Sequence, residues 1–188
     1  FTTMAGYALA KFDFPGRSFL RFVVIVTMMV PFQLVVTPMY LTIVNIGWNN
    51  TMASITVPYV CQCIYVFFAQ QYFYSIPKEM EEAARIDGCG YCASFFRIIV
   101  PIAKPGLSTA AIMVFLNNWN EFYFASILLK SKEKMTIPAL LGQFTTAYSK
   151  NLNGMFSAII VSVVPTILIF CLLSETFVKS LTAGAVKG

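Results

Sequence analysis

Four windows of this chain stay apolar for longer than a water-soluble domain of this size can bury. They run from about Phe19 to Val44, Met52 to Tyr74, Leu107 to Leu129 and Met155 to Val178. Crossing the hydrocarbon core takes about 20 mostly apolar residues in a helix, and each window supplies them. Inside a bilayer every backbone N–H and C=O must be bonded within the protein, so the windows predict helices rather than open strands. Hydrophobic residues make up 58% of the 188 and charged residues only 11%, the composition of an integral membrane protein. Pro31, Pro38, Pro58 and Pro165 fall in these windows. Each predicts a kink whose freed carbonyl a neighbouring helix can satisfy. The expected fold class is an all-α, polytopic transmembrane helical bundle.

Charge sets the orientation. Phe1 to Ala10 read as the last turns of another apolar helix, followed by a polar turn from Lys11 to Arg17. Lys11, Arg17 and Arg21 lie before or at the start of the first window, and the loop from Asn45 to Thr51 is uncharged. Lys78, Arg85, Arg97 and Lys104 lie between the second and third windows, and Lys179 and Lys187 follow the fourth. Basic residues collect on the cytoplasmic side, which puts the first, third and last of these segments inside. Lys130, Lys132, Lys134 and Lys150 oppose the rule, since alternation places their loop outside. The net charge of +5 reflects residues flanking spans and does not call for a nucleic-acid partner.

Between the second and third windows lies a charged, helix-forming island. Pro77 suits a first helical turn, and Glu79, Glu81 and Glu82 follow where the helix dipole favours negative charge. Glu81 and Arg85 are spaced for an i,i+4 ion pair. Met80, Ala83 and Ala84 are expected on one face, where small side chains let another surface approach. Gly88 is placed to stop the helix in the left-handed conformation. A second short helix is expected from Tyr91 to Val100, ending at Pro101.

The run Glu82-Ala83-Ala84-Arg85-Ile86-Asp87-Gly88, nine further residues, then Ile98-Ile99-Val100-Pro101, resembles the EAA loop of permease subunits in bacterial ABC importers. Val100 departs from the family's usual Leu. The resemblance implies that Glu82, Ala83, Ala84, Asp87, Gly88 and Pro101 couple the chain to an ATPase, within a coupling loop of about 75–106. It also implies the type I ABC importer permease fold. Six spans are then expected, so residues 1–188 would form one N-terminally truncated transmembrane permease domain.

The third window contains Asn117-Asn118-Trp119-Asn120-Glu121-Phe122. An acidic residue near a span centre costs about 2.5–3.5 kcal/mol on insertion scales, so Glu121 is expected to face the bundle interior or a watery path. Asn117, Asn118 and Glu121 are the candidate pathway residues, with Asn117 and Glu121 on one helix face. Two readings stand: amides and an aromatic face for a sugar, or a polar clamp between helices. Trp119 lies off that face and is expected to pack on a neighbouring helix.

The same run resembles the Trp-Asn-acidic-Phe segment of carbohydrate-uptake permeases, the maltose-type second permease among them. The segments Ala8 to Arg17 and Leu181 to Gly188 are similar to that branch as well. What the resemblance implies is a subunit that imports a sugar or oligosaccharide by alternating access in a bacterial inner membrane. Its implied partners are a second homologous permease, an ABC ATPase dimer that binds ATP and Mg, and an extracellular sugar-binding protein. Lys130, Lys132 and Lys134 are the candidate contacts to that binding protein. An importer for another solute, such as amino acids or phosphate, is the alternative within the class.

No G-x-x-x-x-G-K-[ST] phosphate loop occurs, so ATP hydrolysis is assigned to another chain. A membrane-embedded enzyme is disfavoured by the absence of His and by a single deep acid, Glu121. A channel would need rings of charge or a carbonyl filter that are not evident. Cys89 and Cys92 form a C-x-x-C without the further ligands of a zinc site, and Cys61, Cys63 and Cys171 are expected as packing residues.

Overall fold

The computed structural model describes residues 1–144 and 152–185, with side chains described over 1–143 and 153–172. Lys150, Lys179 and the tail from Leu181 lie outside the residues whose side chains are described. Helices appear in the order α1 (Thr2–Lys11), α2 (Arg17–Met29), α3 (Phe32–Asn45) and α4 (Met52–Thr56), the last continued by a 3₁₀ turn at Val57–Tyr59. Next come α5 (Cys63–Tyr74), α6 (Glu79–Ile86), α7 (Tyr91–Ser94), a π turn (Phe95–Ile99), α8 (Val100–Ile102) and α9 (Lys104–Trp119). The chain closes with α10 (Tyr123–Leu128), a 3₁₀ turn at Lys132–Lys134, α11 (Ile137–Phe144) and α12 (Leu152–Ala185).

By length and composition, Met52–Tyr74 and Asn153–Leu172 can each cross a membrane among the described residues. Two further spans arise if α2 with α3, and Tyr91–Ile102 with Lys104–Leu128, each count as one broken span. The window from Phe19 to Val44 is therefore not a single kinked helix. It breaks at Val30 and Pro31, because a residue before proline is driven out of the helical region and proline itself lacks the N–H. The window from Leu107 to Leu129 breaks as well, at Asn120 to Phe122. The helix expected to end at Pro101 instead runs on to Ile102. The widened π turn lies just where a tight α turn would press the proline ring on the Arg97 carbonyl.

Contacts divide the chain into two compact units, each discontinuous in sequence. One is built from Phe1–Met29, Cys61–Met113 and the stretch beginning at Leu173. Its core is Tyr7, Ala10, Ala69, Phe73, Ile76, Phe95, Ile99 and Ala103. Here α1 lies close against α5: a Cβ on Gly6 would stand 2.6 Å from the Ala69 Cβ and 2.9 Å from the Gln70 nitrogen. Small residues at such a crossing replace hydrophobic driving force with close backbone packing, as membrane helices require. Arg17 and Arg21 turn back to donate to the Leu9 carbonyl at 2.9 and 2.8 Å, satisfying an acceptor that the end of α1 leaves open.

The other unit comprises Val30–Val60 and Val114–Leu172. Val36, Ile43, Phe124 and Leu128 form one apolar cluster in it, and Ala125, Leu129 and Ala139 another. Many apolar side chains of α12 remain exposed, among them Ile160, Val161, Ile167, Leu168 and Phe170, as expected of a helix facing lipid or a partner. Cys61 and Cys171 are exposed rather than packed.

Candidate coupling hairpin and polar cavity

In the first unit, α6 carries the EAA signature. Glu79, Glu81 and Glu82 occupy its first turn and Arg85 its last, both favourable to the helix dipole. Its end is a Schellman motif: the Cys89 N–H donates to the Ala84 carbonyl at 2.9 Å and the Gly88 N–H to Arg85 at 3.0 Å. Gly88 adopts φ +78°, which fits the left-handed stop read from the sequence.

The faces of α6 differ from the expectation in one respect. Ala84 is 1% exposed and Glu81 6%, so these two look into the unit. Met80, Glu82, Ala83, Ile86 and Asp87 look out, with Ile86 86% exposed. Ala84 thus seats the helix on its own unit, while Ala83 leaves the outer surface low.

The Glu81–Arg85 pair does not form. Lys11 Nζ stands 3.3 Å from Glu81 Oε1, with side chains 3% and 8% exposed. The ammonium aims its 2.6 Å hydrogen bond at the Ile76 carbonyl, so the contact with Oε1 is an ion pair without hydrogen-bond alignment. Tyr7 sits beside the same carboxylate. Arg85 lies over the Tyr91 ring instead, 4.8 Å from its centroid. Solvent and salt weaken an exposed i,i+4 pair more than a buried one, so little is lost when Glu81 faces Lys11 instead. Lys11, which the sequence marks only as a topology charge, is the residue this reading missed.

In the second unit, α9 ends at Trp119, so Asn117 and Glu121 do not share a helix face. Three Asn residues in four positions, at 117, 118 and 120, were the available stop signal. Both Glu121 oxygens accept backbone N–H bonds, from Phe124 at 2.7 Å and Ala125 at 2.9 Å. The carboxylate therefore caps α10, which lowers the cost of placing a charge in an apolar chain. Trp119 stacks on Phe115, with centroids 5.5 Å apart and planes at 17°, and donates to the Ser162 carbonyl of α12 at 2.9 Å. It packs against a neighbouring helix, as expected from the sequence, although the shared face from which that was argued is absent.

Asn118 and Glu121 nonetheless meet in one cavity, with Ile55, Thr56, Tyr59, Val60 and Thr136. Its volume is about 320 Å³, at the small end of the roughly 300–1,000 Å³ typical of small-molecule sites. Asn117 is exposed and does not line it. Asn118 is exposed as well but lines the cavity. Among those residues no group of three or more His, Cys, Asp or Glu could hold a metal ion.

The loop after α10 is fixed by Asn50, whose side chain and backbone bond Lys130, Ser131 and Lys134. Lys130, Lys132 and Lys134 are exposed. The uncharged loop before α4 and this basic loop are thus joined.

Residues 2–182 match the family described as the inner membrane component of binding-protein-dependent transport systems. The chain belongs to this family. Among relatives of the inner membrane component family, an arabinooligosaccharide transport system permease protein, AraQ, of Halalkalibacterium halodurans is 36% identical over 188 residues. AraQ of Bacillus subtilis (strain 168) is 34% identical over the same length, and both alignments cover 100% of this chain and 67% of the relative. The trehalose transport system permease protein SugB of Mycobacterium tuberculosis is 33% identical over 189 residues, with 98% of this chain and 69% of SugB covered. A crystal structure of a bacterial ABC transporter involved in the import of the acidic polysaccharide alginate has a TM-score of 0.82 at 24% identity. That match covers 94% of this chain and 67% of that chain, and establishes the fold. The chain is thus an all-α membrane component of a transport system.

Proposed function

We propose that this chain is a permease subunit of an ATP-driven ABC importer that carries a sugar or oligosaccharide across a bacterial inner membrane. The exposed, Gly88-terminated EAA hairpin carries the coupling half of this reading. The substrate class rests on the relatives, whose names specify arabinooligosaccharides and trehalose. A second homologous permease completes the pathway, an ATPase dimer binds ATP and Mg, and an extracellular binding protein delivers the sugar.

In this mechanism Glu82, Ala83 and Asp87 on the outer face of α6 meet the ATPase. Gly88 sets the turn that holds them there, Ala84 seats α6 on its own unit, and Pro101 stands exposed on the second helix of the hairpin. When the ATPase closes, Lys11 and Glu81 carry the displacement from α6 to the end of α1. On the other side of the membrane, the loop bearing Lys130, Lys132 and Lys134 meets acidic groups of the binding protein. Asn118 offers its amide to sugar hydroxyls along the path, while Glu121 shapes the cavity wall and caps α10.

The direct test is uptake. The intact subunit, reconstituted with its partners, should accumulate labelled oligosaccharides only with ATP and a cognate binding protein. Accumulation of amino acids or phosphate but no sugar would transfer the substrate assignment to another solute.

A further inference from the structure

Asn50 stands in the turn between α3 and α4 with φ +58°, the one non-glycine residue among those described in the left-handed region. Asparagine tolerates that conformation better than most side chains. Its side chain reaches the loop that follows α10. Asn50 Oδ1 accepts from the Lys130 N–H at 2.9 Å and the Ser131 N–H at 3.1 Å, and Nδ2 donates to Ser131 Oγ at 2.8 Å. Its backbone is engaged too. The Asn50 N–H donates to the Leu128 carbonyl at 3.0 Å, and its carbonyl accepts from Lys134 Nζ at 2.9 Å. One residue thereby satisfies both amides at the bend and draws one of the three lysines back onto the protein.

We infer that Asn50 is a positioning residue for binding-protein recognition, and that it divides the three lysines by role. Lys134 belongs to the clamp. Lys130 and Lys132 are the charges it presents to the partner. This rests on the reading of the loop as the binding-protein contact. Asn50 itself touches no ligand: it prepays the ordering of the loop, and preorganisation raises affinity by removing that cost from the binding step.

Three variants separate the roles in the reconstituted complex. Asn50→Gly keeps the backbone conformation and every lysine but removes the fork. It should raise the binding-protein concentration for half-maximal ATPase stimulation by roughly threefold to tenfold, the scale of one or two lost hydrogen bonds. The maximal rate and the salt dependence should stay at the wild-type level. Asn50→Asp retains two acceptors for the loop amides and should recover most of the affinity. Lys132→Gln should raise the same concentration and weaken its salt dependence, as loss of a direct charge contact does. Hydrogen exchange at the Lys130 and Ser131 amides should quicken in Asn50→Gly alone. Faster exchange with an unchanged half-maximal concentration would overturn the positioning role while leaving the transport reading intact. Failure of the binding protein to stimulate the wild-type complex would overturn both. If Asn50→Gly does not accumulate, Ser131→Ala removes one arm of the clamp and should give the same split to a smaller degree.

Discussion

Lys11 Nζ and Glu81 Oε1 lie 3.3 Å apart with both side chains buried, so the end of α1 is tied to the helix that carries the EAA signature. Removing one member strands a buried charge at a cost of about 3–5 kcal/mol, whereas replacing both with apolar residues of similar volume is close to neutral. Lys11→Met should therefore lower the thermal midpoint of the purified complex, and Lys11→Met with Glu81→Met should restore most of it. Equal losses in the single and double variants would show that the two residues act separately.

Gly88 separates backbone strain from steric fit, because an added Cβ there would meet nothing within 4 Å. Among the described residues its φ of +78° is the only obstacle to substitution. Asn tolerates that region, while a β-branched residue does not and costs at least about 1–2 kcal/mol. Gly88→Asn should retain transport. Gly88→Val should lose uptake with the subunit still in the membrane, as quantified by immunoblot and labelled-sugar accumulation. Equal uptake in the two variants would remove the turn from the coupling mechanism.

Gly6 presents the opposite case, where φ is ordinary and space is absent. Gly6→Ala would force α1 away from α5 against backbone atoms at 2.9 and 3.0 Å, an overpacking cost of about 1–3 kcal/mol. Adding Ala69→Gly relieves the Cβ contact at 2.6 Å but not the backbone ones, so rescue should be partial in thermal unfolding. Full rescue would mean that the Ala69 methyl group alone limits the approach.

Glu121 is assigned a cap that the pathway reading does not require. Glu121→Ala should destabilise α10 by about 0.5–2 kcal/mol, and Glu121→Gln, which keeps one acceptor, by less. Both should show in hydrogen exchange at Phe124 and Ala125. Cysteine accessibility at position 118 should respond to transport state if the cavity lies on the path. Labelling that never changes with nucleotide or binding protein would confine Asn118 to a static surface.

Apolar length marked four windows, of which two hold helices that can each cross a membrane and two count only as broken pairs, and the EAA spacing marked a helix stopped at Gly88. Those signals are local: one depends on about 20 residues in succession, the other on a single left-handed position. The breaks at Pro31 and Asn120 were harder, because hydropathy averages over a window and hides where the backbone stops. Asn50 and Lys11 were hidden for another reason. Each acts on residues distant in sequence, Ser131 and Glu81, and no periodicity within one segment encodes such a contact. Glu121 carried a charge signal but not its meaning, since a carboxylate on a water path and one capping α10 look alike in the sequence.

The measurement that bears most directly on the account is ATP hydrolysis together with labelled-sugar uptake in proteoliposomes holding the complete transporter. Glu82 lies exposed on the outer face of α6, where a Lys reverses the charge offered to the proposed ATPase contact. The wild-type complex should hydrolyse ATP faster with sugar-loaded binding protein and accumulate sugar in step with it. Glu82→Lys combined with Gly88→Val should abolish both responses while all subunits remain in the membrane. Sugar-stimulated hydrolysis and uptake at wild-type levels in that double variant would contradict the assignment of this hairpin as the coupling element.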